Sequence, residues 1–152
     1  MTLAVDHINI VVSNLEQSLQ FYTTLLGFEQ SRRAHLQGEW IEAIVGLKGV
    51  SAEVAYIRAP AGEPRVELLC YRMPKGETLP ACSLANTIGL RHLALRVENI
   101  HDMVERLQKG GVSFLGEPVT VPDGIVQHEA GSKTLVYFTD PDGVLLELAE
   151  YR

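Results

Sequence analysis

Two histidines and two glutamates occupy matching places in this chain. His7 and His92 each open a short run of alternating apolar residues, and Glu67 and Glu147 each sit inside another. Imidazole nitrogen suits Zn, Ni, Fe or Mn, and carboxylates add hard oxygen donors and negative charge. Two carboxylates on a dication make a neutral set, which lowers the cost of placing it in a low-dielectric pocket. Taken singly, a strand histidine is more often a hydrogen-bonded core or surface residue than a ligand. A lone glutamate near a strand end is usually solvated. The metal reading rests on both pairs recurring at the same point of a repeat.

The repeat is legible along the chain. Asp6-His7-Ile8-Asn9-Ile10-Val11-Val12-Ser13-Asn14-Leu15 aligns with Arg91-His92-Leu93-Ala94-Leu95-Arg96-Val97-Glu98-Asn99-Ile100, at an offset of 85 residues. Each copy reads as a strand followed by an amphipathic helix. Leu15, Leu19, Tyr22, Leu25 and Leu26 form one apolar stripe, and Ile100, Met103, Val104 and Leu107 the other. Asn14 and Asn99 are the expected N-caps. Gly27 and Gly110-Gly111 are the expected stops. Val66-Glu67-Leu68-Leu69 matches Leu146-Glu147-Leu148-Ala149, at an offset of 80. Further strands are expected near Glu53 to Arg58 and Leu135 to Thr139. The chain therefore reads as two βαβββ modules, 1–73 and 89–152, joined by a Pro- and Gly-containing linker at 74–88.

Side chains alternate faces along a strand. Ile8, Ile10 and Val12 share one face, opposite His7, Asn9 and Val11. Val66, Leu68 and Cys70 oppose Glu67, Leu69 and Tyr71. Leu93, Leu95 and Val97 oppose His92, Ala94 and Arg96, and Leu146 and Leu148 oppose Glu147, Ala149 and Tyr151. The uniformly apolar face is the one a helix should cover. The mixed face carries all four candidate ligands, and if each sheet is half of a curved cup they point into its hollow. On that same face Arg96 is a candidate clamp for a substrate carboxylate or phosphate. Tyr71, Tyr151 and Asn9 are candidate lining residues. The apolar segment Trp40 to Leu47 reads as a packed helix. His35, His101 and His128 have no partner at informative spacing.

The chain has 152 residues, with 13 Lys+Arg against 19 Asp+Glu and a net charge of −6. That balance disfavours a general nucleic-acid partner. No apolar run approaches the roughly 20 residues that span a bilayer. The opening residues lack a basic n-region, and the two cysteines, Cys70 and Cys82, lack CxxC spacing. A cytoplasmic protein acting on a small molecule is expected.

These residues resemble the vicinal oxygen chelate superfamily, the glyoxalase/bleomycin resistance/dioxygenase group. The features that carry the resemblance are Asp6-His7-Ile8-Asn9-Ile10, Phe21-Tyr22 through Leu26-Gly27-Phe28, Arg91-His92-Leu93-Ala94-Leu95, and Asp140-Pro141-Asp142-Gly143 leading into Leu145-Leu146-Glu147-Leu148. The resemblance implies an α+β fold, with two tandem βαβββ modules forming a curved mixed-sheet cup. It implies a divalent metal (Ni, Zn, Co, Mn or Fe) held by His7, Glu67, His92 and Glu147, and a homodimer. The ligand order is similar to that of bacterial-type glyoxalase I, which implies a lyase or isomerase. Such an enzyme polarises a carbonyl and stabilises an enediolate, with Glu147 or Glu67 moving the proton. Val11 and Tyr71 stand where that enzyme places an Arg and an Asn for glutathione. Methylmalonyl-CoA epimerase is similar in chemistry. Fe(II) extradiol dioxygenases and drug-sequestering bleomycin resistance proteins are the alternatives within the group.

Overall fold

A computed structural model describes residues 4–79, 84–122 and 131–152. Cys82 and His128 lie outside the described residues, so a Cys70–Cys82 pairing has no structural account. The chain divides into two compact units, Met1–Thr78 and Leu79–Arg152.

In the first unit, β1 (His7–Val11) leads into α1 (Leu15–Gln20). Asn14 caps that helix, its side chain accepting from the Gln17 N–H at 3.1 Å. A π-helical turn, Phe21–Leu25, extends the helix. Gly27 then turns the chain at φ +77, a conformation that favours glycine. β2 (Glu29–Gln37), α2 (Glu39–Val45), β3 (Ser51–Ala59) and β4 (Gly62–Met73) complete the unit. The sheet order is β1-β4-β3-β2, with β1 and β4 parallel and the other pairs antiparallel.

The second unit repeats the plan with β5 (His92–Arg96), α3 (Ile100–Lys109), β6 (Val119–Thr120), β7 (Lys133–Thr139) and β8 (Leu145–Tyr151). Its order is β5-β8-β7-β6, again with the first pair parallel. Asn99 caps α3 by accepting from the Asp102 N–H at 3.2 Å. The two sheets and their helices are the tandem βαβββ arrangement expected from the repeat.

The apolar faces form the cores. Leu15, Leu19 and Tyr22 are buried with Ile10, Val12, Ile57, Val66, Leu68 and Cys70 in the first unit. Ile100, Val104 and Leu107 are buried with Val136, Phe138, Leu146 and Leu148 in the second. Removing these surfaces from water at roughly 25 cal/mol per Å² holds each helix against its sheet.

One feature departs from the expected covering. In the first unit the mixed face is also partly covered. α2 sets Ile41 against Val50, Ala52, Val54 and Leu69, with Tyr71 packed on this cluster. The strand pattern hid this cover because Leu69 looks like an ordinary apolar break in a polar face. Trp40 and Ile44, on the outer side of α2, are exposed.

Candidate metal centre

Register decides which side chains meet. β1 and β4 pair so that Asn9 lies beside Glu67, and β3 places Tyr56 directly opposite Glu67. The same pairing in the second unit sets Ala94 beside Glu147 and Tyr137 opposite it. The Asp140-Pro141-Asp142-Gly143 turn sets the second register. The Asp140 Oδ1 accepts from the N–H groups of Asp142 at 2.9 Å and Val144 at 2.8 Å. Gly143 supplies a positive φ of 83° that the tight turn requires.

In the first unit, His7 Nε2 lies 3.8 Å from Glu67 Oε2. Asp6 Oδ2 lies 2.8 Å from His7 Nδ1 and accepts from Arg65 at 2.9 Å. The His7 hydrogen bond, followed by the Arg65 charge, holds the Asp6 carboxyl below its usual range. That contact orients the ring so that Nε2 faces Glu67. A carboxylate on the remote ring nitrogen is the usual support of a metal-binding histidine. Glu67 is further held by Asn9, which donates to Oε2 at 2.7 Å, and by the Tyr56 hydroxyl. That hydrogen bond and burial raise the Tyr56 pKa.

In the second unit, His92 Nε2 lies 3.4 Å from Glu147 Oε2. Glu147 is almost wholly enclosed, its side chain 3% exposed. Its Oε1 forms no hydrogen bond of regular geometry but sits 2.8 Å from the Lys133 ammonium, so a charge contact compensates its burial. Burial pulls the Lys133 pKa down, but the Glu147 carboxylate and Tyr151 outweigh it, and the net shift is upward. Burial and then Glu147 raise the Tyr137 pKa. The Tyr137 ring also lies beside His92, with centroids 5.2 Å apart. Arg96 stacks on Tyr151, its guanidinium carbon 5.1 Å from the ring centre.

The donor chemistry fits a divalent cation. Metal–nitrogen and metal–oxygen bonds run about 2.0–2.2 Å, so two ligands of one ion sit roughly 3.0–3.5 Å apart. The His92–Glu147 separation falls within that range, and the His7–Glu67 separation is slightly wider. Among the described residues no three or more His, Cys, Asp or Glu side chains gather into a ready-made metal cluster. What the structure brings together is one His–Glu pair in each unit.

Of the candidate lining residues, Asn9 touches Glu67. Tyr71, half-buried, packs on the apolar cluster beneath α2. Tyr56, Tyr137 and Lys133 escaped the sequence reading. The two tyrosines share a signal, since each faces a glutamate across a hairpin at equivalent places of the repeat.

Two four-stranded sheets, each with a His strand parallel to a Glu strand, define a tandem βαβββ protein. The family comparisons agree. The model of the Glyoxalase/Bleomycin resistance protein/Dioxygenase superfamily matches residues 4–148, and the chain belongs to that family. A 2-epi-5-epi-valiolone epimerase from an Actinomyces species is 31% identical, over 96% of this chain and 78% of that protein. A probable lactoylglutathione lyase from Synechocystis is 29% identical, over 95% and 92%. A glyoxalase family protein from Bacillus cereus matches in structure with a TM-score of 0.83 and 31% identity, over 99% of this chain and 95% of that one. Among the described residues no helix is long and apolar enough to cross a membrane.

Proposed function

We propose that the protein is a divalent-metal-dependent lyase or isomerase of the glyoxalase type, moving a proton beside a carbonyl of a small oxygenated substrate. The candidate ligands are His7 with Glu67 in the first module and His92 with Glu147 in the second. The observation that carries the reading is the facing of imidazole Nε2 and carboxylate Oε2 at 3.8 and 3.4 Å, with Asp6 fixing the His7 ring. Relatives named an epimerase and lactoylglutathione lyases support the reaction class.

A bound divalent metal polarises a carbonyl and stabilises developing negative charge on its oxygen. The protein's own part is to hold and move the proton. Glu67 is the better placed carboxylate for this. Its side chain is 15% exposed, against 3% for Glu147, and its donors Asn9 and Tyr56 are neutral. Glu147 is enclosed and tied to a cation, which suits a ligand more than a base. The test is solvent deuterium exchange into α-hydroxycarbonyl and acyl-thioester compounds, run beside oxygen consumption with catechols. Exchange that needs metal and is lost in Glu67→Gln supports the assignment. Oxygen uptake without exchange overturns it in favour of dioxygenation.

A further inference from the structure

The two modules match around their glutamates and then diverge at one end of the mixed face. In the first module that end carries Val11, Ala52 and Tyr71. Ala52 and Tyr71 pair across β3 and β4, and both belong to the apolar cluster under α2. The equivalent residues of the second module are Arg96, Lys133 and Tyr151. Lys133 and Tyr151 pair across β7 and β8 just as Ala52 and Tyr71 do. Two apolar residues of one copy are thus two cations in the other. Both cations contact the same ring, with Arg96 5.1 Å and Lys133 5.7 Å from the centre of Tyr151. Arg96 is exposed, and Lys133 and Tyr151 are half-buried, so a small molecule can reach the row.

Glu147 engages Lys133 through Oε1 while its Oε2 faces His92. In the first module Asn9 donates to Glu67, whereas Ala94 stands beside Glu147 in the second and Lys133 contacts that carboxylate instead. Lys133 is therefore shared between Glu147 and Tyr151.

We infer that Arg96, Tyr151 and Lys133 form a subsite for an oxyanion group of the substrate, a carboxylate or a phosphate. Lys133 is its specificity-determining residue, and Glu147 competes for it. This deepens the proposed function and rests on it for the substrate class, but the subsite's existence does not depend on the metal. A guanidinium and an ammonium on adjacent strands match the several acceptor oxygens of such a group. The competition makes a signed prediction. Neutralising Glu147 frees the ammonium, so anion binding tightens. Linkage then requires that a cation taken up at Glu147 and an anion at Lys133 favour one another.

The experiment uses the full chain stripped of metal with EDTA. Inorganic phosphate and acetate are titrated in turn, with backbone amide shifts at Arg96, Lys133 and Tyr151 as the readout. Saturable binding is expected, weakened about tenfold or more by Lys133→Met and by Arg96→Met, and kept within about threefold by Lys133→Arg. Glu147→Gln is expected to tighten it by about threefold or more. A preference for phosphate assigns a phosphorylated substrate, and a preference for acetate a carboxylate. Absence of saturation by either anion overturns the inference, as does binding that both methionine variants leave unchanged. Anion binding in a protein that takes up no metal sinks the metal reading alone. Metal uptake without anion binding sinks this inference alone.

Discussion

Replacing Lys133 with methionine removes the ammonium that compensates Glu147 Oε1. The glutamate side chain is 3% exposed and the lysine 16%, so this is not a surface ion pair. Breaking a fully buried pair costs about 3–5 kcal/mol, and breaking an exposed one about 0–1. Here the ammonium keeps some access to water, and His92 and Tyr137 remain beside the carboxylate. The expected loss is about 1–3 kcal/mol. Urea unfolding of metal-free protein near neutral pH, followed by circular dichroism, measures it. Methionine fills much the same space, so lost packing contributes little. Adding Glu147→Gln removes the stranded charge, and the double variant should recover most of the loss. The pH dependence has a definite sign. The folded Lys133 pKa is raised, so its stabilisation is complete below the ordinary lysine value of about 10.4 and fades only as pH rises through the folded value. A Lys133→Met variant within about 0.5 kcal/mol of the wild type would refute the reasoning. So would a double variant as destabilised as the two single losses added together.

Three further outcomes follow from the same geometry. Asp6→Asn should weaken divalent-metal binding about 10- to 100-fold, because it loosens the ring whose Nε2 faces Glu67; a competition titration with a fluorescent chelator reads this directly. Leu68→Ala, at a fully buried core position, should cost about 2–5 kcal/mol, whereas Val11→Ala on the exposed face should stay within about 0.5; urea midpoints compare them. Glu150 accepts the Ile100 N–H at 3.1 Å and pairs with Arg152, and the Ile100 bond is the main cause of its lowered pKa. Its stabilisation should be complete above the ordinary glutamate value of about 4.3 and vanish as pH falls through the lower folded value. The stability gap between wild type and Glu150→Gln should therefore be open at pH 7 and closed in strong acid.

The parts of the fold that were legible in the sequence are those set by local pattern. The His-led strands, the asparagine caps, the apolar helix stripes and the Asp140–Gly143 turn all follow from spacing within about a dozen residues. The His7–Glu67 and His92–Glu147 pairings became readable only because the repeat placed both members on equivalent strands. What stayed hidden depends on register across hairpins. Tyr56 reaches Glu67 over 11 residues of chain, and Tyr137 reaches Glu147 over 10, so no single offset aligns both strands. Lys133 has no signal in the repeat at all, because its counterpart is Ala52. Tyr71 lies on the expected face, but the pattern of its own strand carries no information about a separate helix, α2, lying over that face.

If His7, Glu67, His92 and Glu147 bind a divalent metal as proposed, the purified protein retains that metal through dialysis. The most direct measurement is metal content by mass spectrometry, on protein purified without an affinity tag and dialysed after loading with nickel or zinc. Stable stoichiometric metal in the wild type, lost in His7→Ala, Glu67→Ala, His92→Ala and Glu147→Ala alike while each variant stays folded, is the predicted result. Metal retained undiminished by folded His7→Ala and Glu147→Ala proteins, or a wild type that holds none, would contradict it.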